Sequence, residues 1–253
     1  MKSELLRFLP ILPLLLFLVK GNAQSEAPPE EPVITYNISY GAQLPFGDLQ
    51  DRFGWNSNIG MDVEFLTGNN WIYGIGGYFL FGTKVKENVL ASLLNKDTII
   101  YTENGELAFL SLGERGFYAG AHVGKVLPFN HKKGRGGLRL TLGTGLLQHK
   151  VRVQDDASAF VPQVAGEYKK GYDRLSNGLA ITQQVGYQYL SRNKRINFFI
   201  ALEATQGFTQ SRRSWDIDLM SADTRKRTDM LFGLRFNWIL PIYEPGTGES
   251  DFY

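Results

Sequence analysis

The side chains with which this chain could do chemistry are few and scattered. They are three histidines (His122, His131, His149), a set of carboxylates led by Asp62, Glu64 and Glu203, and two arginines, Arg139 and Arg235, in otherwise apolar surroundings. Nucleophilic catalysis needs a serine or similar group beside a base that is itself oriented by an acid. No serine and carboxylate stand at evident positions beside His122 or His149, and His131 sits in a basic stretch (HKKGR). Three scattered histidines make no zinc motif. Asp155–Asp156 and Asp216–Asp218 read as exposed, solvated loop charge rather than calcium ligands. There is no cysteine, which excludes disulfides, thiol chemistry, cysteine metal sites and a lipid-anchored leader. The expectation is a protein with no catalytic residues, no cofactor and no metal.

What must position these side chains is a series of strands. From Ile34 onward, apolar and polar residues alternate at period two, the mark of a strand with two unlike faces. Eight such runs stand out: Ile34–Leu44, Asn58–Leu66, Trp71–Phe81, Gly116–Leu127, Gly137–Val151, Asn177–Leu190, Ile196–Phe208 and Asp229–Tyr243. In the last, Met230, Phe232, Leu234, Phe236, Trp238, Leu240 and Ile242 share one face, and Asp229, Gly233, Arg235 and Asn237 fall on the other. Several runs exceed the five or six residues usual in soluble sheets and suit tilted membrane crossings of about 9–11. Lys125 and Gln183 interrupt the apolar faces of their strands. The stem of Lys125 can snorkel to an interface; nothing in the sequence accounts for Gln183.

The connections alternate in length. Thr67–Asn70, Pro128–Arg135 and Ser191–Arg195 are short, whereas Pro45–Ser57, Gly82–Arg115, Gln154–Ser176 and Thr209–Arg227 are long. Short periplasmic turns and long external loops are the pattern of an outer-membrane barrel, and a soluble sandwich has no reason to keep that parity. The fold expected is therefore all-β: a transmembrane antiparallel up-and-down β-barrel of eight strands. Tyr36, Phe65, Trp71, Tyr73, Tyr187, Tyr189, Trp238 and Tyr243 all fall at the short-turn end, as an interfacial aromatic girdle would.

The flanks agree with export. Residues 1–23 combine Lys2 and Arg7, an apolar run from Phe8 to Val19 and a small-residue site at Gly21-Asn22-Ala23, the form of a cleaved signal peptide. Without them the chain keeps 24 of its 27 basic and 24 of its 25 acidic residues, so the formal charge of +2 falls to zero and gives no reason to expect a nucleic-acid partner. Residues 24–33 read as a disordered acidic, Pro-rich periplasmic leader, 34–243 as the barrel and 244–253 as a periplasmic tail.

Inside an eight-stranded barrel the lumen is just wide enough for side chains to fill it. Asp62, Glu64 and Glu203 are expected to pair with Arg139 and Arg235 and so close the interior; the sharper alternative is a narrow ion path. Outside the strands, Glu87–Asn95 places Val89, Leu90, Leu93 and Leu94 on one helical face that needs a cover, either the barrel mouth or another protein. Thr98–Tyr101 and Leu107–Leu110 around Asn104-Gly105 read as a hairpin, which on a rival count makes ten barrel strands. In the fourth long loop Arg212, Arg213, Arg225, Lys226 and Arg227 could meet lipopolysaccharide phosphates, but Asp216, Asp218 and Asp223 offset most of that charge, and a solvated face is the plainer reading.

The segment Ser39-Tyr40-Gly41-Ala42-Gln43-Leu44-Pro45-Phe46-Gly47-Asp48-Leu49, with the leader ending Asn22-Ala23-Gln24, resembles the first strand and loop of OmpA/OmpX-like eight-stranded outer-membrane barrels in the form common in Bacteroidota. The resemblance implies architecture rather than activity. Such barrels commonly end on an aromatic residue of the last strand; here the polar segment Glu244–Tyr253 follows instead, with no peptidoglycan-binding domain. The expected role is a non-enzymatic structural or accessory subunit in contact with outer-membrane lipid and lipopolysaccharide and with another envelope protein of an assembly, secretion or uptake machinery. A small ion or solute channel and a lipid-modifying enzyme are the alternatives.

Overall fold

The computed structural model describes residues 31–93, 100, 102, 104, 108, 110–129, 135–155, 161–191 and 196–242. Eight strands form one closed ring: β1 (Val33–Gly47), β2 (Asn56–Leu66), β3 (Trp71–Gly82), β4 (Leu110–Pro128), β5 (Gly137–Asp155), β6 (Ser176–Leu190), β7 (Asn197–Ser211) and β8 (Lys226–Ile242). Each pairs antiparallel with its sequence neighbours, and β1 closes on β8 from Ile34↔Ile242 to Gly47↔Asp229. Closure leaves no sheet edge, so every strand's backbone groups are paired on both sides.

Alternation decides which side chains enter the barrel. Outward residues of β1 and β8, such as Ile38, Leu44, Phe232, Leu234 and Phe236, are exposed, while their neighbours Asn37, Ser39, Arg235 and Asn237 are buried. A water-soluble protein would bury the first set. This surface is built for hydrocarbon, and the polar face is the packed one. At the short-turn end, Tyr36, Phe65, Trp71, Tyr73, Tyr187 and Trp238 are exposed outward. Tyr189 packs on Phe198 with ring centroids 5.7 Å apart. Lys125 places its ammonium 4.9 Å from the centroid of the Trp71 ring and donates to the Asn69 carbonyl at 2.7 Å. Tyr243 lies outside the described residues, as do residues 1–30 and the tail.

The strands run further than the alternation suggested, mostly at the long-loop end. β4 begins at Leu110 and β5 continues to Asp155, so the two pair from Leu110↔Asp155 down to Pro128↔Gly137. Above the apolar belt their outward positions become Arg115, Gln148, Lys150 and Arg152. The ten-strand count is not what forms: eight strands close the ring. Of the expected hairpin, Ala108 donates its backbone N–H to the Ile100 carbonyl at 2.8 Å; most of its residues lie outside the described set.

The helix expected over Glu87–Asn95 is also not what forms. Only a 3-10 turn, Ala91–Leu93, is present among the described residues. Val89 and Leu90 are buried and Leu93 packs against the same cluster, which includes Leu49, Phe53, Val161, Val164 and Tyr172 from the first and third long loops. Val89 and Leu90 therefore cover the barrel mouth instead of offering a face to a partner, because capping the lumen removes their apolar surface from water. Leu94 lies outside the described residues.

Candidate functional site

The interior is filled from bottom to top by stacked layers. At the short-turn end Val33, Leu66, Ile72, Val126, Leu190, Phe199, Ala201 and Ile239 form an apolar floor. Above it, Arg139 from β5 reaches Glu64 on β2 through two bonds, Nη2 to Oε1 at 2.5 Å and Nη1 to Oε2 at 3.0 Å. His122 Nε2 stands 2.9 Å from the same Oε1. Arg139 also donates to Gln188 Oε1 and Thr141 Oγ1, and its guanidinium carbon sits 4.3 Å from the Phe199 ring centroid. This layer needs space that only glycine gives. A Cβ on Gly74 would stand 2.4 Å from His122 Nε2, and one on Gly76 would stand 1.9 Å from Asp62 Oδ1.

The second layer centres on Glu203 of β7. Arg235 of β8 donates from Nε at 2.5 Å and from Nη2 at 2.7 Å, and Gln43 and Gln184 each donate at 2.7 Å. Every lone-pair direction of that carboxylate meets a donor, which is how a buried charge is held without a large penalty. Arg235 also lies over the Tyr78 ring, 3.8 Å from its centroid. Asp62 departs from expectation. It is buried but accepts a hydrogen bond from the Tyr78 hydroxyl and pairs with neither arginine. Both guanidinium groups are already engaged by Glu64 and Glu203. A cavity of about 10 Å³ remains between these side chains, lined among others by Tyr78, Tyr118, Glu203 and Arg235, about the least that holds one water molecule.

A third layer was not foreseen. His149 Nε2 lies 2.8 Å from Asp229 Oδ2, and Thr209 Oγ1 donates to the same oxygen at 2.5 Å. Glu114 accepts from Asn56 Nδ2 at 3.0 Å, and the Phe53 ring meets the His149 ring edge-on. So both inward histidines have a carboxylate partner, Glu64 and Asp229, where the sequence showed none. The order is wrong for nucleophilic catalysis, since the acid sits between the hydroxyl and the imidazole, whereas a triad puts the base between hydroxyl and acid. All three groups are at most 2% exposed.

The mouth is closed by a lid whose hub is Arg174, in the left-handed region at φ 51°. Its guanidinium meets Asp216 at 2.6 Å, Glu87 at 3.0 Å and Asp218. Arg52 holds the other Glu87 oxygen at 2.9 Å and donates to the Arg174 carbonyl at 2.8 Å. Four long loops are thereby tied together. Asp216 is 7% exposed and Asp218 is bound to Arg174, so the pair is part of the lid and not free loop charge. Burial pushes the Glu87 carboxyl up, but Arg52 and Arg174 outweigh it and hold its pKa below the usual value. Asp223 is held lower, at about 2: burial again raises it, and bonds from Arg227 and Arg225 more than reverse the effect.

The fourth-loop cations are largely engaged within the chain. Arg213 pairs with Asp173, Arg225 and Arg227 pair with Asp223, and Arg212 donates to Asn177. His131 and Asp156 lie outside the described residues, and the side chain of Asp155 is likewise not described.

No family model matches the chain, and no curated protein matches it in sequence. Among solved structures it is similar to Ail, the attachment invasion locus protein of Yersinia pestis, in a complex with the heparin analogue sucrose octasulfate. That likeness has 12% identity and a TM-score of 0.36 over 83% of this chain and 99% of that one. It is also similar to the N-terminal β-barrel domain of Pseudomonas aeruginosa OprF, at 11% identity and a TM-score of 0.33, covering 81% and 97%. A third is the outer membrane protein AlkL, solved by solid-state NMR in DMPC bilayers, at 10% identity and a TM-score of 0.35, covering 91% and 99%. At such scores these likenesses carry no argument about what the chain does, which is taken below from its own residues.

Proposed function

We propose that this chain is a sealed, non-enzymatic barrel of the bacterial outer membrane, of the type common in Bacteroidota. It acts as a structural or accessory subunit of an envelope complex. The observation that carries this reading is the inversion of polarity across one closed wall. The outer face is an apolar belt with aromatics at one end, and the inner face is packed with buried polar side chains, two Arg–Glu pairs among them, under a tied lid. Such a body suits hydrocarbon outside, and its described interior is filled by side chains. With the lumen filled, and with His149, Asp229 and Thr209 inaccessible to a substrate, the surfaces left for function are the outer wall, the loop exteriors and the segments beyond the barrel. Lipid and lipopolysaccharide would surround the belt, and a second envelope protein would engage the loops, wall or tails.

Affinity purification of the tagged chain from the outer membrane in mild detergent tests this. A reproducible co-purifying envelope protein at fixed stoichiometry is expected. Migration only as the free chain would contradict the accessory role. Altered lipid A or phospholipid acyl chains on overexpression would point to the enzymatic alternative.

A further inference from the structure

The apolar belt is broken on one side only. On β6, Gln183 faces outward halfway between Leu179 and Tyr187 of the aromatic ring, near mid-height of the wall. In the register Gln183 stands between Leu142 of β5 and Ala204 of β7. In the next row up, Ile181 stands between Thr144 and Gln206. Exposed Thr144 and half-buried Gln183 and Ala204 thus border Ile181 in one patch of amide, hydroxyl and small side chains, with Gln206 of the same row buried beside it. At comparable positions on the far side, strands β1–β3, the outward residues are Ile38, Met61 and Ile75, all exposed and apolar.

A primary amide carries two donors and an acceptor oxygen with two lone pairs. In hydrocarbon each unmet group is costly. Gln183 and Gln206 are diagonal neighbours across β6 and β7, within reach of one another for long side chains. Even a bond to the buried Gln206 leaves most of the capacity of the Gln183 amide unmet. The patch therefore calls for a partner that brings hydrogen-bonding groups to that depth in the bilayer.

We propose that the β5–β7 wall is the contact face of a homodimer within the membrane, with two copies related by a two-fold axis along the membrane normal. Two features favour a second copy over an unrelated wall. A two-fold axis along the normal sets each Gln183 at the same depth as its counterpart without further adjustment. An amide is also its own complement, donating and accepting with an identical group. Ala204 and Thr144 beside it are small enough for the two walls to approach closely, as small residues allow between packed membrane segments. This contact is separate from the loop, wall or tail docking proposed above and stands or falls independently of it.

The chain has no cysteine, so single-cysteine crosslinking reads the contact directly. Gln183→Cys and, on the opposite wall, Met61→Cys are placed in the full-length protein, and outer membranes are treated with a mild oxidant. Heat-modifiable gel migration selects the folded fraction of each. Gln183→Cys is expected to give a reducible band at twice the monomer mass, and Met61→Cys is expected to stay monomeric. In phosphatidylcholine vesicles, Gln183→Leu is expected to weaken self-association, read by energy transfer between labelled copies, on the order of tenfold, given the modest worth of such bonds in membranes. Folded Gln183→Cys that stays monomeric, crosslinks to a different polypeptide, or crosslinks no better than Met61→Cys would overturn the proposal. Wild-type affinity in Gln183→Leu would overturn it as well.

Discussion

Arg139 and Glu64 face each other across the lumen from β5 and β2 and share two hydrogen bonds, at 2.5 and 3.0 Å. Neither side chain is more than 3% exposed. The pair joins strands that are not neighbours in the ring, so it braces the barrel across its width; one layer up, Arg235–Glu203 links the neighbouring strands β8 and β7, and Gln43 and Gln184 extend that contact to β1 and β6. Removing one partner strands the other as an uncompensated buried charge. Glu64→Ala is expected to destabilise the folded barrel by about 3–5 kcal/mol, measured by denaturant unfolding in lipid vesicles. The double variant Glu64→Met with Arg139→Leu, which leaves no stranded charge, is expected to recover most of that loss. A single-variant loss no larger than that of an exposed pair would show that the lumen is hydrated there.

Gly76 gives Asp62 the space it occupies. A methyl group at Gly76 would meet Asp62 Oδ1 at 1.9 Å and the Met61 carbonyl oxygen at 2.9 Å. Gly76→Ala is expected to cost about 1–3 kcal/mol, the range for overpacking a filled interior. Adding Asp62→Ala is expected to recover part of that loss, giving a coupling in a double-mutant cycle. Additive losses would mean that the backbone contact alone sets the cost.

Arg174 ties the lid and takes no part in the wall. Arg174→Ala is expected to raise proteolysis of the long loops about tenfold or more, since cutting tracks the population of the open lid. Heat-modifiable migration of the barrel is expected to be unchanged. Loss of the folded barrel itself would show that the loops and the wall form one cooperative unit.

The lid has a definite acid limit. The pKa of Glu87 is depressed in the folded state, so its contribution is complete above the unfolded value of about 4.3 and is lost as pH falls through the lower folded value. Loop hydrogen exchange is expected to be equally slow at pH 7.5 and pH 5.5 once corrected for intrinsic rates, and to quicken only below about pH 4. The Asp223 clasp, with its pKa at about 2, is expected to persist further into acid. Release of the lid between pH 6 and 7 would contradict this ion-pair account.

The wall was legible in the sequence because a strand with two environments must alternate, and loop parity gave the order of the elements. The inward positions of Asp62, Glu64, Arg139, Glu203 and Arg235 followed from the same parity. Partner choice did not, since parity gives the face of a residue and not its height. Asp62 found Tyr78 because both arginines were already engaged, by Glu64 and by Glu203. His149 and Asp229 were inward by the same count, but their meeting depends on how far β5 and β8 are staggered around the ring. The lid was least legible. Arg52, Glu87, Arg174 and Asp216 come from four separate loops, and no local pattern marks them. Val89 and Leu90 fit a helical stripe and a capping turn equally well, and burial over the mouth decided between the two.

Ionic conductance across a planar bilayer tests the sealed lumen most directly. With the purified, heat-modifiable protein inserted, the wild type is expected to show no steps above the bare-membrane baseline at neutral pH. Steady ohmic steps from the wild type, reshaped by substitution of Arg139 or Arg235, would show an open ion path through the interior and contradict the account.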